Sequence, residues 1–282
     1  MPVSVLFCEG GPNSPDLRVL SKLLSGLCQI RDSGGKYGMG ERIKAWREVR
    51  EKGNNRDICC GILDGDFIAE WKIPANEPRR WESEDKNIHF GWRWERKEIE
   101  NYLIDPVVVE KALGKRSPQI DTYTQTLKVA RDSIAIYQAA RTALGTHRRR
   151  FNPLSSAFGK ECGREKHPFP AALDEESCIN GIRENIRKYG ETQIINEKNV
   201  LHSFGSYKSE CLEGGQRFND FLHAFSGKDL LWAMNDWLAA NGFIGALAFR
   251  EKIVSGIQQS TEDISTWLQE WGKLRTVIAN YD

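Results

Sequence analysis

Two short apolar runs, Val3 to Cys8 and Ile58 to Leu63, each end abruptly in an acid followed by glycine. The first runs into Glu9-Gly10-Gly11-Pro12-Asn13 and the second into Asp64-Gly65-Asp66. Uninterrupted apolar runs of this length read as strands buried on both faces, and the residues that terminate them carry turn chemistry. Between the two runs, Ser14 or Asp16 can cap a helix whose apolar stripe is Leu17, Leu20, Leu24 and Leu27. Cys28 to Arg31 suggests a second strand. A glycine-rich connection, Gly34 to Gly40, then leads to a second amphipathic helix marked by Ile43, Trp46 and Val49. This β-α-β-α-β alternation implies an α/β fold, with a mostly parallel sheet covered by helices on both faces.

Beyond Asp66 the pattern loosens. Residues 67 to 87 read as a polar, proline-containing excursion, and Ile88 to Trp94 as another strand. Glu95 to Leu103 then leads into Asp105-Pro106 and a helix. From about 121 onward the periodicity is mostly helical, broken by a loop at 145–170 rich in Arg, Lys, Pro and Gly. Near the C-terminus, Ser260 and Asp263 form a capping signal ahead of a stripe of Ile264, Trp267, Trp271, Leu274 and Ile278. The expected division is a core over 1–115 and a mainly helical region over 116–282 whose end packs back on the core.

Composition narrows the function classes. A chain of 282 residues, 40% hydrophobic, can build a sizeable core, and 40 basic against 39 acidic residues leave a net charge of +1. A nucleic-acid site must then be a local patch. Seven cysteines, an odd number with several in the apolar runs, are expected to be buried and reduced in a cytoplasmic setting. No signal-like segment is seen at the N-terminus, and no apolar stretch reaches the roughly 20 residues that cross a bilayer, so no membrane association is expected.

In open parallel sheets, ligands gather beyond the carboxyl ends of the strands. Glu9, Asp64 and Asp66 are expected at that edge. The glycine between the two aspartates lets the backbone turn sharply, so that both carboxylates can face one ion. Mg2+, or Mn2+ in its place, takes hard oxygen ligands, and a few converging carboxylates together with a substrate phosphate suffice. A later acid could complete the set.

The stretches "VLFCEGG" and "GILDGD" resemble the TOPRIM (Rossmannoid) fold shared by topoisomerases, bacterial primases and OLD-family nucleases. "ERKEIENYLIDP" and "SGKDLLW" are similar to the branch near the OLD nucleases whose members include the nuclease subunit of the PARIS phage-defence system. The likeness covers residues 3 to about 110, with a short echo at 226–232. It implies a metal-dependent endonuclease acting on DNA or RNA, an effector in anti-phage defence. Glu9 matches the first-strand glutamate, Asp64 and Asp66 the DxD pair, and Glu100 the acid of "ENYL", with Glu98 as its alternative. Asp16 resembles the acid that comes after the glutamate, across an extra Gly-Pro-Asn-Ser stretch. Lys97 could neutralise a transition-state phosphate or be a solvated partner of the acids around it. Having no P-loop of its own, a relative of this kind would need a separate ABC-type ATPase as regulator. A homodimer is also compatible.

Arg148, Arg149 and Arg150, with Lys160, Arg164, Lys166 and the interleaved Phe151, Phe158 and Phe169, have the composition of a nucleic-acid contact, and equally of a solvated loop. Cys162, His167 and Cys178 lack the spacing of a zinc site. Trp232, Trp237, Trp267 and Trp271 recur at helical intervals and read as core or interface. Two rival readings remain. A flavodoxin-like signalling receiver also places acids after strands one and three, and would accept phosphate on Asp64. A non-catalytic TOPRIM-fold scaffold for nucleic acid or an ATPase would retain the acids only as structure.

Overall fold

The computed structural model describes residues 2–35, 38–52, 58–83, 87–147, 172–189 and 195–281. The chain divides into two units: Met1–Gly65, Pro74–Ile120 and Leu247–Asp282 form unit 1, and Asp66–Ile73 with Asp121–Ala246 form unit 2.

Unit 1 is built on a five-stranded sheet. Its strands are β1 (Val5–Cys8), β2 (Gln29–Asp32), β3 (Cys59–Leu63), β4 (Arg79–Glu82) and β5 (His89–Arg93), in the order β2-β1-β3-β5-β4. β1 runs parallel to β2 and β3, and β3 parallel to β5; only β4 is antiparallel. The central strands β1 and β3 are buried at every position, which is why their sequences are continuously apolar.

Helix α1 (Pro15–Leu23) starts where expected. Ser14 caps it, its hydroxyl accepting from the Leu17 N–H, and proline occupies its first turn, where no backbone donor is needed. In α2 (Met39–Lys52), Met39 and Ile43 join a core with Val5, Phe7, Cys59, Leu63 and Phe90. Trp46 packs edge-on against Phe7, whereas Val49 is 69% exposed, so the apolar stripe stops one turn short of expectation.

Two elements differ from the sequence reading. The excursion at 67–87 contains β4, an edge strand of sequence RRWE with no alternating apolar face; it is held by pairing to β5 and by Trp81 against Phe90. The "ENYL" stretch is a short helix, α3 (Ile99–Leu103), followed by α4 (Pro106–Leu113), which Asp105 caps through the Val107 N–H.

Unit 2 is helical: α5 (Ile120–His147), α6 (Glu175–Tyr189), α7 (Glu197–Cys211), α8 (Gln216–Asn219), α9 (Phe221–Ala224), α10 (Gly227–Ala233) and α11 (Asn235–Ala240). Segment 66–73 belongs to it because the buried Arg217 donates to the carbonyls of Ile68 and Ala69, and Phe67 packs on Gly145. The chain then returns to unit 1 as α12 (Ala246–Gln259) and α13 (Gln269–Ala279). Asp263 caps the short turn before α13, and Trp267, Trp271, Leu274 and Ile278 are buried. Trp232 and Trp237 are only partly buried. Among the described residues, no helix is long and apolar enough to cross a membrane.

Candidate functional site

The carboxyl ends of β1, β3 and β5 lie side by side, because the three strands are parallel and register pairs Cys8 with Ile62 and Leu63 with Arg93. Glu9 is therefore one residue past β1, and Asp64 one residue past β3. The Asp64 N–H donates to Glu9 Oε1 at 3.0 Å, holding the Glu9 carboxylate against the start of the acidic turn. A charge-assisted bond to a backbone donor fixes orientation better than solvent would.

β5 leaves the sheet at the same edge. Trp94 N–H donates to the Leu63 carbonyl at 2.8 Å and the Arg93 guanidinium to the Asp64 carbonyl at 3.2 Å. Gly65 is packed against this exit: a β-carbon there would lie 2.4 Å from the carbonyl oxygen of Arg96. Glycine is thus required by the close approach of two backbones, while the left-handed turn itself falls on Asp66 (φ 54°).

Other acids surround the end of β1. The turn after Glu9 folds back so that a side chain at Gly10 would lie 3.3 Å from the Asp16 carboxylate. Asp32 ends β2, in register with Cys8. Burial, helped by the negative charges of Asp16, Asp32 and Asp64, pushes the Cys8 thiol up to about 12, so it stays protonated at neutral pH. Cys59 and Cys178 are likewise pushed up to about 12 by burial, and the six described cysteines are free thiols.

Most charges in "ERKEIENYLIDP" do structural work. Glu95, buried, accepts from the N–H groups of Ala75, Asn76 and Glu77 and thereby shapes the turn before β4. Arg96 pairs with Asp105 at 2.8 Å and donates to the Asn101 carbonyl. Tyr102 donates its hydroxyl to Glu270 at 2.6 Å, and Glu270 also accepts from the Glu95 N–H. Glu98 is the N-cap of α3, where Asn101 accepts from its N–H, so Glu98 and Glu100 are not interchangeable as they would be along a strand. Glu100 is 2% exposed and accepts from Arg250 at 3.3 Å. Lys97 is 5% exposed, which removes the reading of it as a solvated side chain. A buried lysine is rarely found without compensating acceptors.

Of the remaining expected site residues, Asp66 opens unit 2 with a left-handed backbone (φ 54°), a conformation aspartate tolerates better than most residues. Arg148, Arg149 and Arg150, with Lys160, Cys162, Arg164, Lys166 and His167, lie outside the described residues. "SGKDLLW" forms the start of α10, where the fully buried Asp229 accepts from Gln138 and pairs with Arg141.

The donor chemistry suits a hard divalent cation. Among the described residues, no group of three or more His, Cys, Asp or Glu side chains is placed to hold a metal ion. Glu9 and Asp64 make an adjacent pair, and one or two carboxylates plus substrate phosphate and water meet the needs of Mg2+. The sequence reading missed Asp32 and Arg250. The first was signalled by the acid ending "QIRD"; the second carried no signal, since 150 residues separate it from its partner.

No family model matches the chain, and no curated protein matches it in sequence.

Proposed function

We propose that the carboxyl edge of the unit 1 sheet is a magnesium-dependent phosphodiesterase centre, and that the chain is a TOPRIM-type nuclease. The observation that carries this reading is the hydrogen bond from Asp64 N–H to Glu9 Oε1, which joins two acids at the ends of neighbouring parallel strands. Glu9 and Asp64 would hold the ion, with substrate phosphate and water completing its coordination, and Asp66 and Glu100 are added by the resemblance alone. When bound, magnesium supplies charge neutralisation at the phosphodiester and a more acidic water. The protein's own part is orientation: the Asp64 N–H fixes Glu9, the Gly65 turn sets Asp64 against the exit of β5, and Lys97 adds a cationic group on the segment leaving that strand. Nucleic acid is the substrate class, and regulation by a separate ABC-type ATPase belongs to the same reading.

The expected outcome is that Glu9→Ala and Asp64→Ala each abolish magnesium-dependent cleavage of DNA or total RNA. Glu9→Gln, which keeps the acceptor for Asp64 N–H, should also be inactive while unfolding like the wild type. Chelator should reproduce the loss. Unchanged cleavage by either alanine variant would refute the assignment. A scaffold reading has one observation of its own, the ion pair between Glu100 and Arg250, which gives that acid a structural role. Wild-type protein that binds nucleic acid without cutting it at any magnesium concentration would favour the scaffold.

A further inference from the structure

The parallel strands end at one edge of the unit 1 sheet in the spatial order β2, β1, β3, β5. Neighbouring strands lie about 4.8 Å apart, so this edge is about 14 Å wide. Two guanidinium groups are fastened along it. Arg42, an exposed residue of α2, donates from Nη1 at 2.9 Å to the carbonyl of Ser33, the first residue past β2. Arg93, half-buried at the end of β5, donates to the carbonyl of Asp64, the first residue past β3. Glu9 follows β1, the strand between the two that carry the anchoring carbonyls, and is itself bonded to the Asp64 N–H. A carbonyl partner fixes the plane of a guanidinium but brings no negative charge to cancel its own, and the rigid fork suits a phosphate. An edge that carries Glu9, Asp32 and Asp64 repels a polyanion, so nucleic acid lying across it needs cationic contacts on either side. On one stacked strand the phosphates recur about every 3.4 Å along the axis, so about four of them span the edge.

We infer that Arg42 and Arg93 are the phosphate contacts that seat a nucleic-acid strand across Glu9 and Asp64, one towards each side; this rests on the reading of that edge as a phosphodiesterase centre. Contacts of this kind set the register of the strand and read no sequence. The protein makes them itself, so they are measurable with chelator present, when magnesium-dependent cleavage cannot intervene.

The test uses the full chain with fluorescein-labelled oligo(dT) and oligo(U), binding being followed by anisotropy in chelator over a range of salt concentrations. Arg42→Gln and Arg93→Gln should each weaken binding of both oligonucleotides and make the slope of log K against log salt shallower by about 0.7, and the double variant by about 1.4. Arg42→Lys and Arg93→Lys should restore the wild-type slope, because they return the charge; a merely structural bond to the carbonyl would leave the lysine variants no better than the glutamines. Lys111→Ala removes the same unit of charge from α4, where Lys111 pairs with Glu262, and should leave the slope unchanged. Unfolding midpoints establish that each variant is folded. No binding by the wild type in chelator, an unaltered slope in the double glutamine variant, or an equal loss in Lys111→Ala overturns the seating role. Cleavage with magnesium separates the two levels of failure. If the wild type cuts in a Glu9-dependent way and the arginine variants keep its slope, the phosphate contacts fall and the nuclease reading stands. If the slope depends on both arginines but nothing is cut at any magnesium concentration, the interface stands and the nuclease reading falls.

Discussion

Glu270 shows how far a single acid can depart from its sequence appearance. In "QEWGK" it looks like a helix-surface carboxylate, yet it is buried between the Tyr102 hydroxyl and the Glu95 N–H. Burial is the largest influence and raises its pKa from 4.5 to about 7, against the lowering effects of Tyr102, the Glu95 N–H and Arg96. The folded chain therefore holds a proton that the unfolded chain releases between those two values. Stability attributable to this group is fully present below about 4.5 and declines as pH rises to about 7, by on the order of 3 kcal/mol. Denaturant titrations of wild type and Glu270→Gln across pH 4.5 to 7 should show a declining difference that belongs to the wild type alone; parallel curves would remove Glu270 as the cause. The same contrast explains what was legible at this scale. Glu9 and Asp64 announced themselves because each ends an apolar run, whereas the buried partners of Arg250 and Glu270, namely Glu100 and Tyr102, lie 150 and 168 residues away.

Strands of the inner sheet were readable because burial on both faces forces an unbroken apolar run, and β1, β3 and β5 lie within or at the edges of the runs expected. β4 was not, since an edge strand paired on one side can be built from Arg-Arg-Trp-Glu. Nor was α3, because five residues are too few to establish a helical period. The readable elements are joined into a site by the contact between the exits of β3 and β5 at Gly65. Replacing Gly65 by Ala puts a methyl into the Arg96 carbonyl, and relief requires one backbone to move, an overpacking that typically costs about 1–3 kcal/mol. Gly11 provides the control, because a β-carbon there meets nothing within 4 Å. Gly65→Ala should lower the thermal midpoint and reduce magnesium-dependent cleavage more than the stability loss alone explains; Gly11→Ala should do neither. Equal behaviour of the two variants would mean that the close approach at Gly65 is unimportant.

At the scale of the whole molecule, the chain leaves unit 1 twice and returns each time, so unit 1 is assembled from three separated stretches. The last of them, 247–282, is integral to it. Val3 N–H donates to the Ile278 carbonyl, Arg275 to the Leu23 carbonyl and Lys22 to the Ser260 carbonyl, while Glu270 and Arg250 supply partners for the polar groups beyond β5. Without this stretch, Tyr102 loses the Trp271 ring and its Glu270 acceptor, and Glu100 loses the Arg250 guanidinium. Breaking a buried ion pair by removing one partner is strongly destabilising, about 3–5 kcal/mol, which is comparable to the whole stability of a small domain. A fragment of residues 1–120 should therefore lack a cooperative thermal transition by circular dichroism. Adding 247–282 as a separate polypeptide, or fusing it through a flexible linker, should restore one. The restored fragment should also regain Glu9-dependent Mn2+ binding if the acid edge is a metal centre. A cooperative transition in 1–120 alone would show instead that the sheet and its first four helices are sufficient, and that the C-terminal helices are an addition to a unit already complete.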